Sequence, residues 1–259
     1  MGHPLSQEQR EAVIRYFQQE SHILRQLMKK PGAYRMPECI YEGNITGWID
    51  DLLVRSPSNR ALQNRICAVI NGTEKVVLEK MRNNHGRACL ISLGCGAVRD
   101  TVEMMRRNSR WNGCVRVECI DRDMEKLAEG KEFARVAEVE SVNFVRANML
   151  SLPHREKYDV GLLIGVLCAI PVPQCVATLK EIRPYFKKGG VLIASNVTPT
   201  MVQEDPLMSY ILSEFVRLNL VYKAPEQLRH IFELAGYEWK GCFYDDPCQF
   251  HCIGIGTVN

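Results

Sequence analysis

The 259-residue chain has no apolar run near the roughly 18–20 residues needed to cross a bilayer. It has no dense Lys/Arg tract, and its formal net charge is only +3. The charge balance therefore gives no support for nucleic acid or a membrane surface as partner. It has no CxxC pair, which excludes zinc-ribbon and thioredoxin signatures. Repeats and low-complexity linkers are absent as well. The first ten residues are polar and lack the apolar centre of a signal peptide, so the expected setting is cytoplasmic. Gly2 and Ser6 fit only the short, loose pattern for myristoylation.

What the chain does have is cysteine, 11 in all. Cys89, Cys119 and Cys252 sit inside apolar runs, where free thiols behave as small hydrophobes. Cys248, His251 and Cys252 are the best metal candidates. In an extended stretch, however, His251 and Cys252 point to opposite faces, so no metal is expected. Apolar residues make up 46% of the chain, enough for one large core.

The first third reads as helical. Ser6 and Gln9 form a capping box before a segment that Pro31-Gly32 ends. A short helix is expected over 45–54. A third helical region, capped by Ser58, runs towards Met81 with a break at Asn71-Gly72. From Arg87 the pattern changes. Apolar runs at 88–93, 115–120, 142–145, 160–166 and 191–195 alternate with amphipathic segments at 99–107, 124–137 and 174–187. This alternation predicts an α/β fold with a mostly parallel sheet and helices on both faces. A helical insertion follows at 198–221, then a helix from Pro225 to Gly236, then strands at 237–244 and 250–258. The domain division is a helical cap over 1–86 and an α/β domain over 87–259.

The first run ends in Leu93-Gly94-Cys95-Gly96, with a helix after it. Glycines there allow a tight turn and close approach of a ligand. The second run ends in Asp121, followed by Arg122; a carboxylate at that strand end can accept from both hydroxyls of a ribose. The third ends in Asn148-Met149, where an amide can pair with an adenine edge. The fourth ends near Gly165, whose small size leaves room for a ligand. A dinucleotide fingerprint wants a glycine at position 99. Arg99 stands there, so the ligand is expected to carry one adenosine and no pyrophosphate.

On these residues the stretch Arg87–Val258 resembles the class I S-adenosylmethionine-dependent methyltransferases, small-molecule type. Gly94 and Gly96 match the first motif, Asp121 the acid of the second strand, and Asn148 the adenine-side polar residue. The run Ile182–Leu192 is similar to the family's approach to its fifth strand, and Pro225–Tyr237 to the segment before its last hairpin. The resemblance implies a Rossmann-like, seven-stranded sheet with the final strand antiparallel. It also implies S-adenosyl-L-methionine as cofactor, bound by Gly94, Cys95, Gly96, Asp121, Arg122, Asn148, Met149 and Gly165. Two departures stand out. Ser92 occupies the place of the family's usual acid, which leaves the methionine amino group without its partner unless Asp100 or an N-terminal residue supplies one. Val98 falls where a third glycine is usual.

The Asn-Pro-Pro-Tyr motif of amino-group methylation in DNA and protein is absent after the fourth strand, which favours a small-molecule acceptor. Arg60–Arg65 and Leu220–Lys223 faintly resemble bacterial enzymes that methylate hydroxy fatty acids. Tyr41, Tyr222 and Asn196 are the candidate catalytic residues, with His230 a weaker one. The irregular stretch 33–43, with Tyr34 and Tyr41, is expected to close over the cofactor; a homodimer interface or a side buttress is the alternative role for this N-terminal region. Two other readings stay open: a non-catalytic cofactor-binding regulator, and, disfavoured by Arg99, a nicotinamide oxidoreductase.

Overall fold

The computed structural model describes residues 6–29, 45–96, 98–152 and 157–259. The N-terminal part contains α1 (Gln7–Glu20), α2 (His22–Lys29), α3 (Trp48–Arg55) and the long α4 (Pro57–Asn83). The Ser6–Gln9 capping box forms: the Gln9 N–H donates to Ser6 Oγ and the Ser6 N–H donates to Gln9 Oε1. The expected single first helix is divided at Ser21. The cause is Asp50, fully buried on α3, which accepts from Ser21 Oγ at 2.5 Å and from the His22 and Ile23 N–H groups at 3.2 Å. Asp50 thus satisfies the open N-terminus of α2 from a distant helix. Burial alone would raise its pKa, but hydrogen bonds from Ser21, Thr46 and Ile23 outweigh that effect and hold the carboxyl below its usual value.

The break expected at Asn71-Gly72 does not occur, and α4 runs through it. Gly72 serves packing instead: a Cβ there would lie 2.3 Å from Cζ of the Phe243 ring. The cap of α4 is Ser56, whose Oγ accepts from the Asn59 N–H, rather than the expected Ser58.

The remainder alternates strands and helices. The strands are β1 (Ala88–Leu93), β2 (Val115–Asp121), β3 (Val142–Arg146), β4 (Tyr158–Leu163), β5 (Phe186–Val197), β6 (Tyr237–Tyr244) and β7 (His251–Val258). Between them lie α5 (Arg99–Arg107), α6 (Met124–Val136) and α7 (Val172–Ile182). The insertion holds α8 (Thr200–Glu204) and α9 (Pro206–Tyr210), which continues as a wider π turn over Ile211–Phe215. The helix α10 (Pro225–Leu234) follows.

The sheet order is β3-β2-β1-β4-β5-β7-β6. All strands run parallel except β7, which is antiparallel to both neighbours. This is the expected Rossmann-like sheet with its antiparallel final strand. Two cores lie against the sheet. One includes Val69, Ile70 and Val77 of α4 with Val102, Met104 and Met105 of α5. The other includes Cys175 and Leu179 of α7 with Leu228, Ile231 and Phe232 of α10. A third core joins the N-terminal helices to the insertion, through Ile23, Leu24, Ile49 and Leu53 against Met208, Leu212 and Phe215. Each such buried side chain contributes about 1.5–3 kcal/mol of transfer free energy before entropy is counted, so this third core is enough to hold the insertion over the sheet.

Candidate active site

The strand order reverses between β1 and β4, and in open α/β sheets ligands bind at such a switch, beyond the carboxyl ends of the strands. A chamber of about 320 Å³ lies there. That is within the usual range for small-ligand sites. Its floor is the turn after β1, with Ser92, Gly94, Cys95 and Gly96, and the turn after β4, with Ile164 and Gly165.

The floor is shaped by backbone. Gly94 has φ +61°, and a Cβ there would lie 3.1 Å from Val166 Cγ2 and 3.6 Å from Met149 Sδ. Gly96 has φ +58°. Its N–H donates to Asp121 Oδ2 at 2.9 Å, while the Asp123 N–H donates to Asp121 Oδ1 at 2.9 Å. Asp121 thus ties the end of β2 to the glycine turn, and a carboxylate with these two bonds still has acceptor capacity. Val98, where the resemblance placed a glycine, holds a left-handed φ of +55° although β-branched and buried. That is a strained conformation for valine, held by the surrounding core.

Of the residues expected to hold the cofactor, Gly94, Cys95, Gly96 and Gly165 line the chamber. The Gly165 N–H donates to Ser195 Oγ, which fixes the second turn. Asp121 adjoins the glycine turn through Gly96, and Met149 adjoins it beside Gly94. Asn148 follows one residue after Ala147, whose N–H donates to the Asp121 carbonyl, and its Oδ1 accepts from the Leu150 N–H. Arg122 is exposed and lies outside the chamber lining. A narrow glycine turn too close-packed for side chains, with a strand-end carboxylate beside it, fits the adenosine and sulfonium ends of S-adenosylmethionine.

The candidate catalytic residues are distributed differently. Tyr41, with the whole stretch 33–43, lies outside the described residues. Asn196 is 1% exposed and is absent from the chamber lining. Its Nδ2 donates to the Val197 carbonyl at 2.6 Å and its Oδ1 accepts from Lys223 Nζ at 3.3 Å. The alternation of β5 explains this: Ser195 points to the Gly165 side, so its neighbour Asn196 points away. Lys223, fully buried, also donates to the carbonyls of Leu167, Ile170 and Val221. Burial depresses its pKa. The Asn196–Lys223 pair therefore binds three chain segments together beneath the chamber. The Tyr222 hydroxyl is 2.9 Å from Ser209 Oγ and its ring packs in the third core, again off the lining. His230 is exposed on α10.

The chamber instead presents Arg65, Asp100 and His251. His251, 5% exposed, begins β7. Its Nδ1 lies 3.4 Å from Oδ2 of the fully buried Asp245, and its N–H donates to Asp245 Oδ1. Both Nδ1 and Asp245 Oδ2 are buried without a hydrogen-bond partner, and the His251 side chain lines the chamber. Burial depresses the His251 pKa, and the nearby Arg65 charge adds to this, while Asp245 opposes it. The ring is therefore neutral at pH 7 and able to accept a proton. The upper walls are apolar: Leu62, Val197, Met201, Met208, Leu212 and Leu220. The insertion is pinned over them by Asp205, whose Oδ2 accepts from the Ser58 N–H at 3.0 Å and from Ser58 Oγ at 2.7 Å. Asp205 Oδ1 also caps α9 through the Met208 N–H.

Sequence reading weighed His251 only as a metal ligand and Arg65 only within the Arg60–Arg65 stretch, and placed neither in this chamber. For Arg65 a signal existed: Ser58, Leu62, Arg65, Ile66 and Val69 share one helical face, and all line the chamber. An arginine within such a stripe marks a polar requirement in an apolar wall.

Residues 85–236 match the profile of a methyltransferase domain family, more than half of the chain. No curated protein is significantly similar in sequence. Among solved structures, a possible exported protein from Bordetella parapertussis is similar over 97% of this chain and 93% of its own, with TM-score 0.72 and 14% identity. Magnesium protoporphyrin IX methyltransferase from Synechocystis, with bound S-adenosylhomocysteine, is similar over 96% of this chain and 100% of its own, with TM-score 0.63 and 13% identity. The N-methyltransferase NodS from Bradyrhizobium japonicum is similar over 76% of this chain and 95% of its own, with TM-score 0.52 and 11% identity. At such identities the likeness speaks for the fold, and the family match speaks for the chemistry. With the glycine turn at the switch point and the domain match over 85–236, the chain belongs to the S-adenosylmethionine-dependent methyltransferase family.

Proposed function

We propose that the chain methylates a small, mostly apolar acceptor at a protic nucleophile, with His251 receiving the proton. The observation that carries this reading is the single chamber that joins the Gly94–Gly96 turn to His251 under a roof of Met and Leu side chains. S-adenosylmethionine, when bound, supplies an electrophilic methyl group. The acceptor contributes the attacking electron pair and loses one proton. Asp245 orients the His251 ring and favours its charged form once the proton arrives. Met201, Met208 and Leu212 exclude water from the acceptor. Methionine walls adapt to irregular apolar shapes, which suits a flexible or aromatic acceptor.

Support for a small acceptor also comes from the roof. The Asp205–Ser58 bonds and the third core hold the apolar insertion beside the chamber, which favours a compact apolar acceptor. Among the described residues no helix is long and apolar enough to cross a membrane. Ten described cysteines are free thiols, several of them buried, which supports work in a reducing, cytoplasmic setting.

The test is transfer of labelled methyl from S-adenosylmethionine by the pure chain, using a cell extract split into small-molecule and macromolecular fractions. The reading expects label in apolar small molecules. Label confined to protein or nucleic acid would overturn it. Bound cofactor without transfer in either fraction would favour the regulator.

A further inference from the structure

Two opposite charges face the chamber without touching. Arg65, on α4, forms no hydrogen bond or ion pair with any described residue, and its Nε is buried without a partner. One of its terminal nitrogens lies 3.9 Å from where a Cβ on Gly165 would stand. Asp100 stands in the first turn of α5, directly after the glycine turn. Its Oδ1 accepts from the Thr101 N–H and Oγ1, and no cationic side chain among the described residues bonds the carboxylate. Burial raises the Asp100 pKa, with the Arg65 charge opposing. The two groups therefore sense each other across a gap and do not close it. Arg99 and Lys126 also line the chamber, and both have partners; Arg99 lies over the Phe133 ring at 5.2 Å.

An unpaired guanidinium and a carboxylate without a cationic partner facing one cavity call for a ligand that carries both charges. The chemical class is an α-amino-acid zwitterion, with its carboxylate on Arg65 and its ammonium on Asp100. We propose that Arg65 and Asp100 form a clamp for the amino-acid end of S-adenosylmethionine. The proposal rests on the reading that this chamber takes that cofactor. Its position supports the cofactor over an amino-acid acceptor: Asp100 follows the glycine turn at the start of α5, and Arg65 adjoins Gly165, so both stand at the turns that form the floor. It also accounts for Ser92, an uncharged residue near the end of β1, since the acid arrives from α5 instead.

Calorimetry on the full chain tests this with three probes. They are S-adenosylhomocysteine, its analogue lacking the carboxylate, and 5′-methylthioadenosine, which lacks the amino-acid end. In the unaltered protein the first should bind at least tenfold more tightly than the other two. Arg65→Met should weaken S-adenosylhomocysteine at least tenfold, a usual size for charged hydrogen bonds. It should leave the decarboxylated analogue and methylthioadenosine within twofold. Asp100→Asn should weaken both probes that keep the ammonium and spare methylthioadenosine. Equal losses for all three probes would overturn the clamp, as would an unchanged affinity for S-adenosylhomocysteine. A preference for free amino acids over S-adenosylhomocysteine would assign the pair to an acceptor instead. If the unaltered chain binds none of the probes, the cofactor reading itself fails. Should Arg65→Met not fold, Asp100→Asn still separates the two probes that keep the ammonium from methylthioadenosine, and equal losses for all three would overturn the clamp.

Discussion

The floor and the roof of the chamber are built by different means. The floor is backbone: Gly94 and Gly96 at positive φ, the strand-end Asp121, and the Gly165 turn held by Ser195. The roof is side chain: Leu62 from α4, Met201 and Met208 from the insertion, and His251 from β7. The floor comes from the carboxyl ends of β1, β2 and β4. The roof gathers residues up to 189 positions apart, from Leu62 to His251. The difference suggests a division of labour, in which the floor binds the invariant cofactor and the roof chooses and deprotonates the acceptor.

The largest expected effect tests the roof. His251→Ala should lower turnover about 10²- to 10⁴-fold, the usual range for a general base. The unaltered enzyme should keep a constant rate above neutral pH. The acidic limb should lie below 6.5: as pH falls through the depressed pKa of His251, the base becomes protonated and the rate declines. That acidic limb should vanish in the variant. A retained limb would assign the base to another group.

Asp121→Ala tests the floor. It should weaken S-adenosylhomocysteine by about 1.5–3 kcal/mol, or roughly 10- to 150-fold, with the fold preserved. An unchanged dissociation constant would show that Asp121 serves only to hold the glycine turn.

Asp205→Asn tests the link between the two. It keeps the side-chain volume but weakens the charged hydrogen bonds to Ser58 and Met208, at a cost of about 1–3 kcal/mol in stability. Acceptor KM should rise several-fold while cofactor affinity stays constant. Thermal melting and steady-state kinetics read both. A rise in cofactor Kd of equal size would deny the division.

The same contrast explains what was legible in the sequence. The strand and helix alternation from Arg87 onward follows from local periodicity, and all seven strands begin or end within two residues of the segments expected for them. The glycine turn was readable because left-handed backbone demands particular residues in a fixed order. Two local signals misled. Gly72 reads as a breaker, yet it is a contact point for Phe243, 171 positions away. Ser21 sits inside an apparently continuous helix, and only the distant Asp50 explains the division there. Asn196 and Tyr222 were attractive by type and position near the cleft, but strand alternation and the Ser209 bond turn them away. Arg65 and His251 meet only through tertiary packing, which no short pattern encodes.

Tyr222→Phe gives the smallest effect. It removes the Ser209–Tyr222 hydrogen bond, worth about 0.5–1.5 kcal/mol of stability. Turnover should remain within twofold. A hundredfold loss would restore Tyr222 as the base and move the chemistry off His251.

The division of labour is tested most directly by the affinity of His251→Ala for S-adenosylhomocysteine, measured by calorimetry beside its turnover. The account predicts a dissociation constant within about twofold of the unaltered chain, a change of roughly 0.4 kcal/mol or less, because the floor that binds the cofactor is intact. A dissociation constant that worsens in step with turnover would contradict it, and would make His251 part of the cofactor site.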